Sequence, residues 1–139
     1  AAERVAELRR LLASRLEFGT AGLRGPMGPG SACMNDLVVL QSTQGVCTYL
    51  EQCLGAEGKQ RGVCIGFDHR ARRGCTSRSF AQHAAAVFLN RGFRVYLYKD
   101  VVATPLVPFC LELKGCCAGV MITASHNPAD DNGYKLYWG

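Results

Sequence analysis

The chain has 139 residues, the size of one ordinary domain of roughly 100–150 residues, so it holds no multidomain machine. Hydrophobic types make up 48% and charged types 19%, a balance that suits a globule and excludes disorder or a fibre. Sixteen Lys and Arg against eleven Asp and Glu leave a net charge of +5, too mild to argue for nucleic acid yet compatible with an anionic ligand.

Residues 2–17 place Val5, Leu8, Leu12 and Leu16 on one helical face, with Glu3 and Glu7 early and Arg15 late, as the helix dipole favours. An N-terminal amphipathic docking helix over 1–17 is therefore predicted ahead of a domain over 18–139. Glu3, Glu7 and Glu17 argue against a mitochondrial presequence. No apolar run approaches the roughly 18–20 residues that span a bilayer, so a cytoplasmic protein with no membrane partner is expected. Residues 18–30 carry five glycines with Pro26 and Pro29 and read as a loop with one short strand.

Asn35 caps a second predicted helix that Gly55 should stop. Val63 to Phe67, between Gly62 and Asp68, reads as a buried strand. A third helix starts near Ser77, turns Phe80, Ala84, Val87 and Phe88 inward, and closes at Gly92 before a strand over Phe93 to Tyr98. Thr104-Pro105 supplies a cap and a first-turn proline for a fourth helix ending at Gly115. Strand patterns follow at Cys117 to Thr123 and Tyr134 to Trp138. Strands alternating with helices predict an α/β fold, with a mostly parallel sheet covered on both faces. The start without Met and the end directly after a strand pattern suggest a piece of a longer chain.

Eight cysteines raise the question of disulfides or a metal. There is no C-x-x-C pair, His69, His83 and His126 lack ligand spacing, and several cysteines sit in apolar runs, so reduced core thiols are expected.

In an open α/β sheet, ligands bind beyond the carboxyl ends of strands. Three polar segments qualify. Thr123-Ala124-Ser125-His126-Asn127-Pro128 follows an apolar strand and presents Ser125 as a candidate nucleophile, with His126 beside it as a proton carrier; an ordinary Asn-Pro turn is the plainer alternative. The flanks lack the G-x-S-x-G of hydrolase elbows, and neither common glycine-rich nucleotide loop follows any predicted strand. Asp68 to Arg73, with Arg78 nearby, offers guanidinium groups for bidentate phosphate recognition, or else a solvated basic loop. Phe18 to Gly25 combines glycines that permit close backbone approach with the charge of Arg24.

Together these segments resemble the α-D-phosphohexomutases. Phe18-Gly19-Thr20-Ala21-Gly22-Leu23-Arg24-Gly25 is similar to the family's opening motif, Gly66-Phe67-Asp68-His69-Arg70 to its G-x-D-x-R loop, Thr123 to Pro128 to its phosphoserine loop, and Asn132-Gly133-Tyr134-Lys135 to the segment after it. The wording of residues 41–45, 103–109 and 131–138 most resembles the animal phosphoglucomutase/phosphopentomutase branch, which includes glucose-1,6-bisphosphate synthase.

The resemblance implies the first of four domains, a three-layer α/β/α unit with a mostly parallel mixed sheet. It implies that Ser125 carries a phosphoryl group exchanged with glucose or pentose 1-phosphates through a bisphosphate. His126 and Lys135 would then assist proton transfer, and Arg24 and Thr20 would bind the anionic substrate. Mg²⁺ would touch this domain only through the phosphate on Ser125, being held mainly by residues outside it, and glucose 1,6-bisphosphate would act as activator. The implied partners are the phosphosugar and the remaining domains of the same enzyme. The family's Asp-rich magnesium loop, sugar-selecting loop and distal phosphate-binding domain are missing from these residues, so the chain alone is expected to be inactive. The rival readings are a glucose-1,6-bisphosphate synthase domain, drawing phosphate from a glycolytic acyl phosphate, and a non-catalytic phosphosugar-binding fragment. The loop around Arg72-Arg73-Gly74-Cys75 is more basic than the family pattern, and its role stays open.

Overall fold

The centre of the sheet is made from the two most apolar runs. In the computed structural model, which describes residues 2–139, β2 (Val63–Phe67) and β6 (Ala118–Ile122) are buried at every position. They pair in parallel, from Val63 against Ala118 to Phe67 against Ile122. Such runs suit strands covered on both faces. β5 (Val95–Leu97) joins the far side of β2 in parallel, β7 (Asp131–Trp138) joins β6 antiparallel, and β1 (Leu23–Pro26) joins β7 antiparallel. The order is β1-β7-β6-β2-β5, and β7 alone runs against the other four. Two-residue strands β3 (Ala71–Arg72) and β4 (Cys75–Thr76) form a separate small hairpin.

α2 (Asp36–Arg61) and α3 (Ser77–Asn90) cover one face, burying Val39, Leu50, Phe80 and Phe88 with Phe67 and Tyr134. α4 (Leu106–Lys114) covers the other, where Val107 and Leu111 meet Cys64, Cys116 and Met121. The result is the expected three-layer α/β/α arrangement. α4 lies close because Gly66 and Gly119 present no side chain to it: a Cβ at Gly66 would stand 2.6 Å from Val107 Cγ2.

Local signals hold where their partners are close in sequence. Asn35 caps α2, its side chain accepting the Val38 N–H, and Thr76 with Ser79 forms a capping box for α3. They yield where tertiary partners intervene. α1 (Ala2–Leu12) ends five residues before the predicted limit, because the Ser31 hydroxyl takes the carbonyls of Leu12 and Ser14 and the Leu16 N–H turns to the Ser31 carbonyl. Val5, Leu8 and Leu12 remain at least half exposed, so α1 does not dock its apolar face within this domain; Leu16 alone of the four packs against the core. Gly55 is a kink rather than a stop: its φ of 54° leaves the helical region, yet α2 resumes and ends at Gly62, with a Lys59–Glu51 ion pair of 2.8 Å spanning the break. At α4 the cap falls on Pro105, and Thr104 makes no capping bond with its side chain. β5 is shorter than predicted because Phe93 packs edge-on against Phe88 under α3.

All eight cysteines are free thiols, and five of them, Cys33, Cys47, Cys64, Cys116 and Cys117, are buried. Burial pushes the Cys47 thiol up to about 12, so it behaves as a small hydrophobe.

Two glycines give opposite expectations. Gly45 lies inside α2, where an added Cβ would meet nothing within 4 Å, so Gly45→Ala should stabilise by about 0.5–1 kcal/mol in urea denaturation, the ordinary helix preference for alanine. A Cβ at Gly133 would lie 2.6 Å from the carbonyl oxygens of both Leu23 and Thr123, which are backbone atoms and cannot turn aside. Gly133→Ala should therefore destabilise by about 1–3 kcal/mol, the scale of overpacking.

Candidate active site

Ser125 sits three residues beyond β6, exposed, on a turn that no helix follows. Its φ of 59° is the left-handed region, which costs a non-glycine residue on the order of 1–2 kcal/mol. Local bonds hold the turn: the Ser125 N–H donates to the Thr123 hydroxyl at 3.0 Å, and the Asn127 N–H to the Ala124 carbonyl at 3.1 Å.

The strongest hold is remote in sequence. Arg70, beyond the end of β2, donates from Nε to Asp68 Oδ2 at 3.0 Å, from one terminal nitrogen to the carbonyls of Pro128 and Asp131 at 2.7 and 2.9 Å, and from the other to those of Ser125 and Asn127 at 2.9 and 3.1 Å. Its side chain is only 11% exposed, whereas His69 and Ala71 to Gly74 around it are exposed, as a solvated basic loop would be. Asp68 is anchored in turn by the Ser77 hydroxyl at 2.6 Å, and Ser77 by the amide of buried Asn132 at 2.9 Å. The outer arginines do behave as surface charges, Arg72 pairing with Asp130 and Arg78 with Asp100.

Arg24 approaches from β1, opposite Gly133 on β7, where the missing side chain lets the two strands and the Thr123 carbonyl crowd together. One terminal nitrogen donates to Asn127 Oδ1 at 3.1 Å, while Asn127 Nδ2 donates to Asp131 Oδ2 at 3.0 Å. The Nε of Arg24 is buried with no partner, a donor left unspent beside the serine turn. Lys135 lies on β7 opposite Met121; burial, reinforced by the charge of Arg24, lowers the pKa of its ammonium below the ordinary 10.5.

Lys135 shares a cavity of about 200 Å³ with Phe18, Gly19, Thr20 and Gly22. Thr20 stands at the tip of a small loop closed by mutual bonds between Gly19 and Gly22. Gly22, at φ +81°, is pressed so closely on β7 that a Cβ would overlap the Tyr134 carbonyl. The fold thus brings Thr20 to Lys135, and Arg24 to the serine turn. Neither Ser125 nor His126, the exposed residue that follows it, lines the Thr20–Lys135 cavity.

Arg70, Asn127 and Asp131 are the site residues that sequence reasoning missed as a group. The Asp68-x-Arg70 spacing was their one local sign, since the Asp68 carboxylate takes the Arg70 N–H in a tight turn at the end of β2. For a divalent cation the carboxylates near the turn do not suffice: Asp68 is occupied by Arg70 and Ser77, and Asp131 accepts from Asn127. Among the described residues no three His, Cys, Asp or Glu side chains converge to hold a metal, and no helix is long and apolar enough to cross a membrane.

Residues 15–139 match the family described as phosphoglucomutase/phosphomannomutase, alpha/beta/alpha domain I. The chain is 54% identical over 134 residues to a phosphopentomutase of Homo sapiens, covering 95% of this chain and 22% of that protein. It is 50% identical over 134 residues to a glucose 1,6-bisphosphate synthase of Mus musculus, covering 95% and 21%. A crystal structure of a Thermus thermophilus protein assigned as a phosphomannomutase superposes with a TM-score of 0.75 at 26% identity, over 90% of this chain and 26% of that one. The chain thus spans about a fifth of the length of the curated relatives it matches. Since the match runs through all five strands of the main sheet and the serine turn they carry, the chain belongs to the phosphoglucomutase/phosphomannomutase family and corresponds to its alpha/beta/alpha domain I.

Proposed function

We propose that this chain is the phosphoserine domain, residues 18–139, of a cytoplasmic phosphosugar mutase, and that Ser125 is its phosphoryl carrier. The observation that carries the reading is the turn itself: a serine held in left-handed backbone, exposed, and flanked by an arginine with an unspent donor. Transfer would form a bond from a sugar hydroxyl oxygen to phosphorus and break the bond from Ser125 Oγ. The proton leaves the sugar hydroxyl, and Oγ regains one. The bisphosphate so formed would turn over and return its other phosphoryl group to Ser125.

Each residue has a part that suits its surroundings. Lys135, whose pKa is lowered, and His126, which is exposed, would move the protons. Arg24 and the Thr20 loop would bind the anionic sugar phosphate, since phosphoryl transfer depends on positioning and on cations set against developing charge. Mg²⁺ would neutralise charge on the transferring group, and this chain would offer it only the phosphate on Ser125. The remaining domains of a longer enzyme would then supply the metal carboxylates and the sugar-selecting side, and glucose 1,6-bisphosphate would prime the serine.

The identity to a glucose 1,6-bisphosphate synthase supports a second reading, in which the same serine is charged by an acyl phosphate. Phosphoryl incorporation from a glycolytic acyl phosphate, compared with incorporation from glucose 1,6-bisphosphate, separates the two.

Ser125→Ala in the full-length enzyme should abolish turnover of glucose 1-phosphate, read by a coupled dehydrogenase, while leaving the unfolding midpoint unchanged; near-wild-type turnover would sink the assignment. For Lys135, a proton-donating ammonium must be charged, so kcat should fall as pH rises through its folded pKa, below 10.5. Lys135→Met should lower kcat by roughly 10²-fold or more and remove that alkaline limb. A change confined to KM would make Lys135 a substrate-binding residue only.

A further inference from the structure

We propose that Arg70 is the positioning residue of the Ser125 turn: its guanidinium sets the geometry of the serine and has no capacity left for substrate. A guanidinium carries five N–H donors in a fixed plane. In Arg70 every one is assigned, one to a carboxylate oxygen of Asp68 and four to the carbonyls of Ser125, Asn127, Pro128 and Asp131. A phosphate could be recognised only by releasing a loop carbonyl. This distinguishes Arg70 from Arg24, whose Nε is unspent, and for Arg70 it replaces the expectation of bidentate phosphate recognition.

The clamp matters because the turn is otherwise weakly made. Ser125 is in a disfavoured backbone region, and its local bonds are one to a hydroxyl and one closing the 124–127 turn. Strain of that kind persists only where surroundings over-determine it. Arg70 draws four carbonyls from the segment 125–131 onto one rigid plane, and Asp68, Ser77 and Asn132 tie that plane to β2, α3 and β7. A lysine keeps the charge but not the fork, so it cannot reach four carbonyls and a carboxylate from one point.

The test has one readout that rests on the phosphoryl-carrier reading and one that does not. In the full-length protein, Arg70→Ala and Arg70→Lys are compared with wild type by amide hydrogen exchange and by phosphorylation of Ser125 from glucose 1,6-bisphosphate. The amides of Ser125, Asn127 and Asp131 should exchange roughly 10-fold faster or more in both variants, the loss expected when a charge-assisted bond goes, with β2 and α3 unchanged. The phosphorylation rate and kcat should fall about 10²-fold with KM little altered, the cost of a misplacement near 1 Å. Millimolar guanidinium, but not ammonium at equal ionic strength, should restore part of both in Arg70→Ala. Should Arg70→Ala not fold, Arg70→Lys carries the same readouts. Unchanged exchange at the three amides, or full activity in Arg70→Lys, overturns the proposal. Faster exchange in the variants with no phosphorylation even of wild type upholds the clamp and overturns the phosphoryl-carrier reading instead.

Discussion

One planar cation organises the carboxyl end of this sheet. Arg70 reaches from the end of β2 across to the turn after β6 and takes four of its carbonyls. Each bond to a charged donor is stronger than a neutral one, and together they hold a segment that propensity alone would not. The cost of burying the guanidinium is offset by the Asp68 carboxylate, itself fixed by Ser77. The parallel pairing of β2 with β6 makes this possible, because it brings both carboxyl ends to the same edge.

Around that frame the cations divide into two kinds. Arg70 is saturated and acts on the backbone, whereas Arg24 spends one terminal nitrogen on the Asn127 side chain and Lys135 lines the cavity beside the Thr20 loop. Gly133 and Gly22 permit the second group to come close: one lets β1 crowd β7 and the Thr123 carbonyl, and the other lets the Thr20 loop lie on β7. Neither glycine does chemistry, but a Cβ at Gly133 would crowd the Arg24 side chain, 3.2 Å from its Cγ, and one at Gly22 would push the Thr20 loop off β7.

How much of this was legible in sequence depended on the range of the interaction. β2 and β6 were readable as unbroken apolar runs, the cap at Asn35 as a bond spanning three residues, and the start of α3 near Ser77 from its apolar face. The serine turn was readable as a motif, and the return of the strand bearing Lys135 beside β6 as a second strand pattern, β7 running antiparallel with Lys135 opposite Met121. The role of Arg70 was not, because its partners lie 55 to 61 positions away. The end of α1 escaped for the same reason: the Ser31 hydroxyl that takes its last carbonyls stands 19 residues downstream of Leu12. At Gly55 the turn signal shows as a non-helical φ, yet α2 resumes beyond it, with Leu50 in the core, Leu54 packed against it and a Lys59–Glu51 ion pair across the kink.

If the clamped turn exists to present Ser125 Oγ to phosphorus, the phosphoryl group itself should be found there. Intact mass followed by fragment sequencing of the full-length protein, after brief incubation with glucose 1,6-bisphosphate and Mg²⁺, looks for it most directly. The expected result is a single added phosphate, on Ser125, that disappears when excess glucose 1-phosphate is supplied. A protein that stays unmodified, or one that carries its phosphate on another residue and turns over all the same, would contradict this role for Ser125.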